Sequence, residues 1–251
     1  MATFIVGYKH DDPPNASLLT MDFKVVNHSA NFSLWKCIGD ITREQFLELE
    51  VRGYNRIFES CFVVQRLQSA HRQEVIHLLF FEIAGDTYNA TIDKGINVGC
   101  YESLYEGARK LCAFPIKNVL DFGCGPGTVL ASAVYRNLDN LLGFDFVQEN
   151  RDYASAIGLE VLNEQQLDAL QLECFDLVVC CYVLHYRSVS AEIIAKVFDR
   201  IRVGGIWAAN FHKSQGVIWF SELLSVYPNA EIITSPSVFG DMMYVRKVGE
   251  E

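Results

Sequence analysis

Val119-Leu-Asp-Phe-Gly-Cys-Gly-Pro-Gly-Thr128 reads as an apolar strand ending in an acid, then three glycines at alternate positions, then the start of an apolar helix. Glycine at 123, 125 and 127 lets the backbone turn tightly into that helix and approach a ligand closely. One helix later, Leu141-Leu-Gly-Phe-Asp145 is a second strand closed by a carboxylate. In a doubly wound sheet this acid lies beside the glycine turn, at the carboxyl edge where ligands bind. There it can accept hydrogen bonds from both hydroxyls of a ribose. The pair describes a nucleoside site. It is not the usual dinucleotide site, because Thr128 stands where G-x-G-x-x-G needs its last glycine. Asp121 also precedes the glycines, where it would repel a pyrophosphate, and no Gly-Lys-Ser/Thr follows to make a P-loop. An acid there suits a ligand with a positive group, such as an amine or a sulfonium.

Outward from this stretch, strand and helix alternate. Leu104, Ala108, Leu111 and Cys112 mark an amphipathic helix ending near Phe114-Pro115. Strands are expected at Asn118–Phe122, Leu141–Asp145, Leu159–Leu162, Asp176–Cys180 and Ile206–Asn210. Helices are expected around Val129–Arg136, Gln148–Ala156 and Ala191–Ile201. This predicts an α/β fold with a parallel sheet covered on both faces. A helix at Ile218–Val226 and strand-like runs at Glu231–Thr234 and Met242–Lys247 close the chain as a hairpin.

The first hundred residues lack that series. Phe4–Tyr8, Met21–Val26 and Phe32–Ile38 look like strands. Thr42-Arg-Glu-Gln45 forms a capping box, after which Phe46, Leu49, Ile57, Phe58, Cys61 and Phe62 recur at helical intervals. A second helix is expected over Arg72–Ala84, although its apolar centre, Val75–Phe81, also suits a buried strand. Residues 1–99 thus read as a mixed α/β accessory or substrate-cap region, and 100–251 as the ligand-binding core.

Composition narrows the function. Half of the 251 residues are hydrophobic and 21% are charged, which excludes a disordered chain. The net charge of −10 argues against nucleic acid or an anionic membrane as partner, since both draw on clustered Lys and Arg. The start, MATFIVGYKHDD, has no basic flank with an apolar stretch, so a cytoplasmic location is expected. Eight cysteines without a C-x-x-C read as reduced thiols, and the histidines lack ligand spacing, so no metal is expected. Asn15, Asn27, Asn31 and Asn89 open N-x-S/T triplets that, without export, read as chance matches. Trp35, Trp207 and Trp219 read as core residues.

The core region resembles the class I S-adenosylmethionine-dependent methyltransferases. The resemblance rests on Asp121-Phe-Gly-Cys-Gly-Pro-Gly127, Asp145, Phe175-Asp-Leu-Val178 and the Gly204-Gly205 turn, in order, and covers roughly Tyr101–Lys247. It implies a Rossmann-like, doubly wound and mostly parallel sheet with an antiparallel last strand, and S-adenosyl-L-methionine as cofactor. Asp121 and the turn Gly123-Cys124-Gly125, with Gly127, would then hold the methionine end, and Asp145 the ribose. Phe146 would pack on adenine, and Cys181 and Tyr182 would line the reactive end. Tyr101 or Tyr105 would close over the methionine moiety. The family often has an Asp after the third strand for the adenine amino group. Here the run is Asn163-Glu-Gln165, and Asn163 or Glu164 could take that role.

Methyl transfer depends mainly on positioning, and an acceptor that must lose a proton gains from a base. His185 and His212 fall at strand ends facing that region and are the candidate bases. Each assignment has a plainer rival: Asp145 as a helix N-cap, His185 as a pocket liner, Tyr101 and Tyr105 as helix-face residues. The expected function is methyl transfer to an oxygen or nitrogen of a small-molecule acceptor. The alternatives are a non-catalytic regulatory or scaffold subunit, a protein or RNA methyltransferase, or a member that uses the cofactor for a decarboxylation or cyclisation. Oligomeric state is not legible.

Overall fold

A computed structural model describes residues 2–10, 23–38, 41–58, 61–64, 67, 69–83, 94–184, 187–212 and 214–249. They divide into two compact units, Met1–Ile83 and Ala84–Glu251.

The first unit is a five-stranded sheet. β1 (Ala2–Tyr8) lies at its centre, between β3 (Phe32–Ile38), antiparallel, and β5 (Cys61–Val64), parallel. β2 (Lys24–His28) pairs with β3, and β4 (Tyr54–Phe58) with β5, giving the order β2-β3-β1-β5-β4. The run Phe4-Ile-Val6 is wholly buried, as a central strand requires. α1 (Arg43–Val51) starts on the expected capping box: Gln45 N–H donates to Thr42 Oγ1, and Thr42 N–H to Gln45 Oε1. The helical reading of Ile57, Phe58, Cys61 and Phe62 is corrected, because these residues lie in the β4–β5 hairpin. Gly53, with φ +87°, takes the left-handed position that ends a helix, so the repeat cannot carry through. Short paired apolar residues fit a helix and a strand equally well. α2 (Ser69–Ile83) is helical, which decides between the two readings of Val75–Phe81.

The second unit opens with α3 (Lys94–Leu111), which runs through the position where the sequence changes character. The sheet comprises β6 (Asn118–Phe122), β7 (Asn140–Phe144), β8 (Glu160–Leu162), β9 (Phe175–Cys180), β10 (Ile201–Phe211), β11 (Ala230–Ser237) and β12 (Gly240–Lys247). Their order is β11-β12-β10-β9-β6-β7-β8, with β10, β9, β6, β7 and β8 mutually parallel. β12 runs antiparallel to both β10 and β11. The doubly wound sheet with a reversed last strand is therefore present. The chain leaves β6 toward β7 and later returns to β9 on its other side, so β6 borders the switch point where such sheets bind ligands.

Strand alternation sorts the two core layers. Leu120 and Phe122 face the side covered by α7 (Ala191–Asp199) and α8 (Ser214–Leu224). Val119 faces α3 with Cys100, Tyr101, Leu104 and Ala108. The period of two puts Asp121 on that α3 side. The expected helix over Val129–Arg136 is instead a 3₁₀ turn, Thr128–Ala131, followed by α4 (Ala133–Arg136), separated at the extended residue Ser132. α5 (Gln148–Ala156) matches its expected span. α6 (Glu164–Ala169) was not foreseen.

The opposite edge of the sheet is tied by Asp176, which is wholly buried. Its Oδ2 accepts from Lys117 N–H at 2.7 Å and Asn118 N–H at 2.9 Å, and Arg202 Nη2 lies 2.5 Å from Oδ1. Asp176→Ala is expected to cost about 2–4 kcal/mol, because it orphans two amide donors and a guanidinium. Urea denaturation measures this; a cost below 1 kcal/mol, on the order of an exposed ion pair, would contradict it.

Candidate functional site

The glycine turn folds onto the end of β7. Gly123 N–H and Cys124 N–H both donate to Phe144 O, at 2.7 and 3.0 Å, and Gly125 N–H donates to Asp145 Oδ2 at 2.9 Å. The amides of Gly123 and Gly125 are thus satisfied inside the protein. Since Cys124 O accepts from Gly127 N–H and Gly127 O from Leu130 N–H, the carbonyls of Gly123 and Gly125 are the ones without a backbone donor among the described residues. Gly123 has φ +78°, and a Cβ there would run into the Val183 side chain. Gly127, at φ +80°, opens the 3₁₀ turn.

Asp121 and Asp145 both lie at this edge and both are buried. The Tyr101 hydroxyl sits 3.1 and 3.0 Å from the two oxygens of Asp121 and donates to that carboxyl group. Burial pushes the Asp121 carboxyl up to about 8; the Tyr101 hydrogen bond opposes the shift and the charge of Asp145 adds to it. Asp145 Oδ1 accepts from Val147 N–H at 2.8 Å and from Asn150 Nδ2 at 3.4 Å. Burial raises the Asp145 carboxyl too, against these hydrogen bonds and that from Gly125. The N-cap of α5 is Val147, so Asp145 serves the helix start from two residues upstream. Asn150 is 3% exposed, and its Oδ1 has no hydrogen-bond partner among the described residues.

Tyr101 is thus in contact with Asp121, whereas Tyr105 leans its ring on Tyr135 at 5.6 Å. Tyr135 also packs edge-on to Tyr101 and donates its hydroxyl to Tyr101 O. Cys124 is buried under the turn. Phe146 packs edge-on to Phe144 and Phe122, at 5.0 and 6.2 Å, within the aromatic layer on the other side of the sheet. Asn163 caps α6, accepting from Gln166 N–H at 2.9 Å, and Glu164 is exposed. Cys181 is buried just past β9. Tyr182 follows with φ +60°, stacked on His212 at 4.5 Å and 24°. His185 lies outside the described residues. Asn150 and Tyr135 escaped the sequence reading, since a helix-interior Asn and an apolar-run Tyr carry no spacing signal.

The donor set tests well against a nucleoside with a cationic tail. A buried carboxyl pushed up by desolvation gains from a cation, and an orphaned acceptor, Asn150 Oδ1, stands beside Asp145. Residues 119–205 match the family model described as a methyltransferase domain. Residues 119–205 thus form a methyltransferase domain, and S-adenosyl-L-methionine is the methyl donor that such a domain implies.

The methyltransferase fold recurs in solved structures of low sequence identity. A proposed S-adenosyl-L-methionine-dependent methyltransferase from Methanococcus maripaludis is 12% identical, with 73% of this chain and 95% of that one covered at a TM-score of 0.51. Streptomyces venezuelae DesVI is 10% identical, with 65% and 96% covered at 0.50. No curated protein matches the methyltransferase chain. Among its described residues, no helix is long and apolar enough to cross a membrane, and no group of three or more His, Cys, Asp or Glu could hold a metal ion.

The methyltransferase's N-terminal unit has a recess of its own, about 510 Å³, bordered by His28, Glu74, His77 and Phe81. Burial lowers the His77 pKa, favouring its neutral form.

Proposed function

We propose that the enzyme methylates an oxygen or nitrogen of a small-molecule acceptor in the cytoplasm. The observation that carries the donor half is Asp121, a buried carboxyl beside the glycine turn that a cationic ligand would relieve. In this reading Asp121 faces the ammonium of the methionine end, and the carbonyls of Gly123 and Gly125 accept from it. Asp145 takes the ribose hydroxyls. Cys181 and Tyr182 border the reacting end. When bound, the donor supplies a methyl group on a positively charged sulfur. Tyr101 packs over Asp121 and excludes water there. His212, exposed beside Tyr182, takes the proton from an acceptor hydroxyl or amine; His185 is the second candidate for that task.

The small-molecule reading is supported by the net charge of −10 and by the apolar and aromatic border at Cys181, Tyr182 and Phe239. Eight cysteines without a C-x-x-C support the cytoplasmic one. Acceptor selection falls in this reading to the N-terminal unit. A screen of small hydroxyl and amine compounds with radiolabelled methyl donor tests the acceptor class. Label transferred only to protein or RNA would overturn it. With an acceptor in hand, His212→Ala is expected to lower turnover about a hundredfold or more, with S-adenosylhomocysteine affinity changed by less than about threefold, under 1 kcal/mol. Unchanged turnover would remove His212 from proton transfer.

A further inference from the structure

Asn210 is wholly buried near the carboxyl end of β10 and belongs to none of the assignments above. Its side chain bonds two backbone groups and also meets the Tyr182 side chain. Oδ1 accepts from the backbone N–H of Tyr182 at 2.7 Å, and Nδ2 donates to Phe239 O at 3.0 Å. Tyr182 is the residue that most needs such a hold. It follows β9 with φ +60°, the left-handed region that a ring-bearing residue adopts only when its surroundings impose it. Phe239 belongs to the turn between β11 and β12, which is itself braced: Phe239 N–H donates to Ser237 Oγ, and Ser237 Oγ to Gly240 O. That turn sits tightly on the end of β10, where a Cβ on Gly240 would meet the Phe211 backbone. One amide therefore links the loop after β9, the end of β10 and the β11–β12 turn. The result of that link is visible in the rings, since Tyr182 stacks on His212 at 4.5 Å and 24°.

We propose that Asn210 is a positioning residue, which holds Tyr182 in its left-handed conformation and thereby seats the Tyr182 ring against His212 at the reacting edge. A hydrophobic residue would fill the volume but could not accept from the Tyr182 amide while donating to Phe239. The functional importance of the pair rests on the reading that this edge faces the acceptor. The geometric claim does not.

The test uses the full chain with labelled histidine. In the unmutated protein the His212 ring protons are expected upfield, shielded by the Tyr182 ring, and Asn210→Ala should return them to ordinary positions. Asn210→Asp keeps an acceptor for Tyr182 and loses the donor to Phe239, so it should retain the shift. His212 still shielded in Asn210→Ala would overturn the proposal. Should that variant not fold, amide exchange in the unmutated protein decides. Tyr182 N–H must be protected, and free exchange there would overturn the proposal equally. S-adenosylhomocysteine is titrated into the same samples. Absence of binding to the unmutated protein would defeat the donor-site reading, while the His212 shift still decides on Asn210.

Discussion

Asp121→Asn is expected to make the ligand-free protein more stable at pH 8 while removing tight donor binding. The Asp121 carboxyl is held at about 8 in the folded protein, against an ordinary value of 3.8. Between those two pH values the folded state holds a proton that the unfolded state has released. Stability therefore falls as pH rises through that window, by about 1.4 kcal/mol per pH unit from this group. The contribution is absent below pH 4 and complete above pH 8. Asparagine removes the slope and keeps an oxygen for the Tyr101 hydroxyl. Its amide leaves a donor short of a partner, which costs about 1–3 kcal/mol, so a net gain of about 3 kcal/mol is expected at pH 8. Urea denaturation of both proteins at pH 5 and pH 8 measures it. Parallel pH dependence in the two would show that Asp121 carries no buried, uncompensated charge. The site is then a place where the fold gives up stability that the donor's cation restores.

Asp145→Ala is the second large effect. It removes the acceptor for Gly125 N–H and Val147 N–H together, and so releases the glycine turn from the start of α5. It also removes the proposed partner of the ribose hydroxyls, a charge-assisted pairing worth about 1.5–3 kcal/mol per bond. S-adenosylhomocysteine affinity should fall about a hundredfold or more by calorimetry. Asp145→Asn should fall between the two, since it keeps one acceptor. An affinity within about threefold of the unmutated protein, under 1 kcal/mol, would mean that Asp145 serves only the helix start.

How much of this was legible in the sequence differs by region for physical reasons. In the second unit, strands buried on both faces read as apolar runs, and β6 and α5 carry their expected bounds. The glycine turn was legible because left-handed backbone at three alternate positions leaves glycine few substitutes. α6 was missed because Asn163 and Gln166 form a capping box that looks like a polar loop. In the first unit, β4 and β5 were read as helix because Ile57-Phe58 and Cys61-Phe62 satisfy both periods, and Gly53 was the only stop signal. The site shows the same division. Asp121 and Asp145 announce themselves as acids closing apolar strands. Asn150 and Asn210 act through side-chain hydrogen bonds, the one to Asp145 and the other to Tyr182 and Phe239, which no sequence pattern records.

The central claim is that a cationic nucleoside donor binds over ionised Asp121. It is tested most directly by calorimetric titration of the unmutated protein with S-adenosylhomocysteine from pH 6 to pH 9. Below its shifted value only a fraction of the protein carries the carboxylate. The apparent Kd should therefore tighten about tenfold per pH unit up to pH 8 and level off above it. No binding heat, or an affinity that does not change between pH 6 and pH 8, would contradict the account.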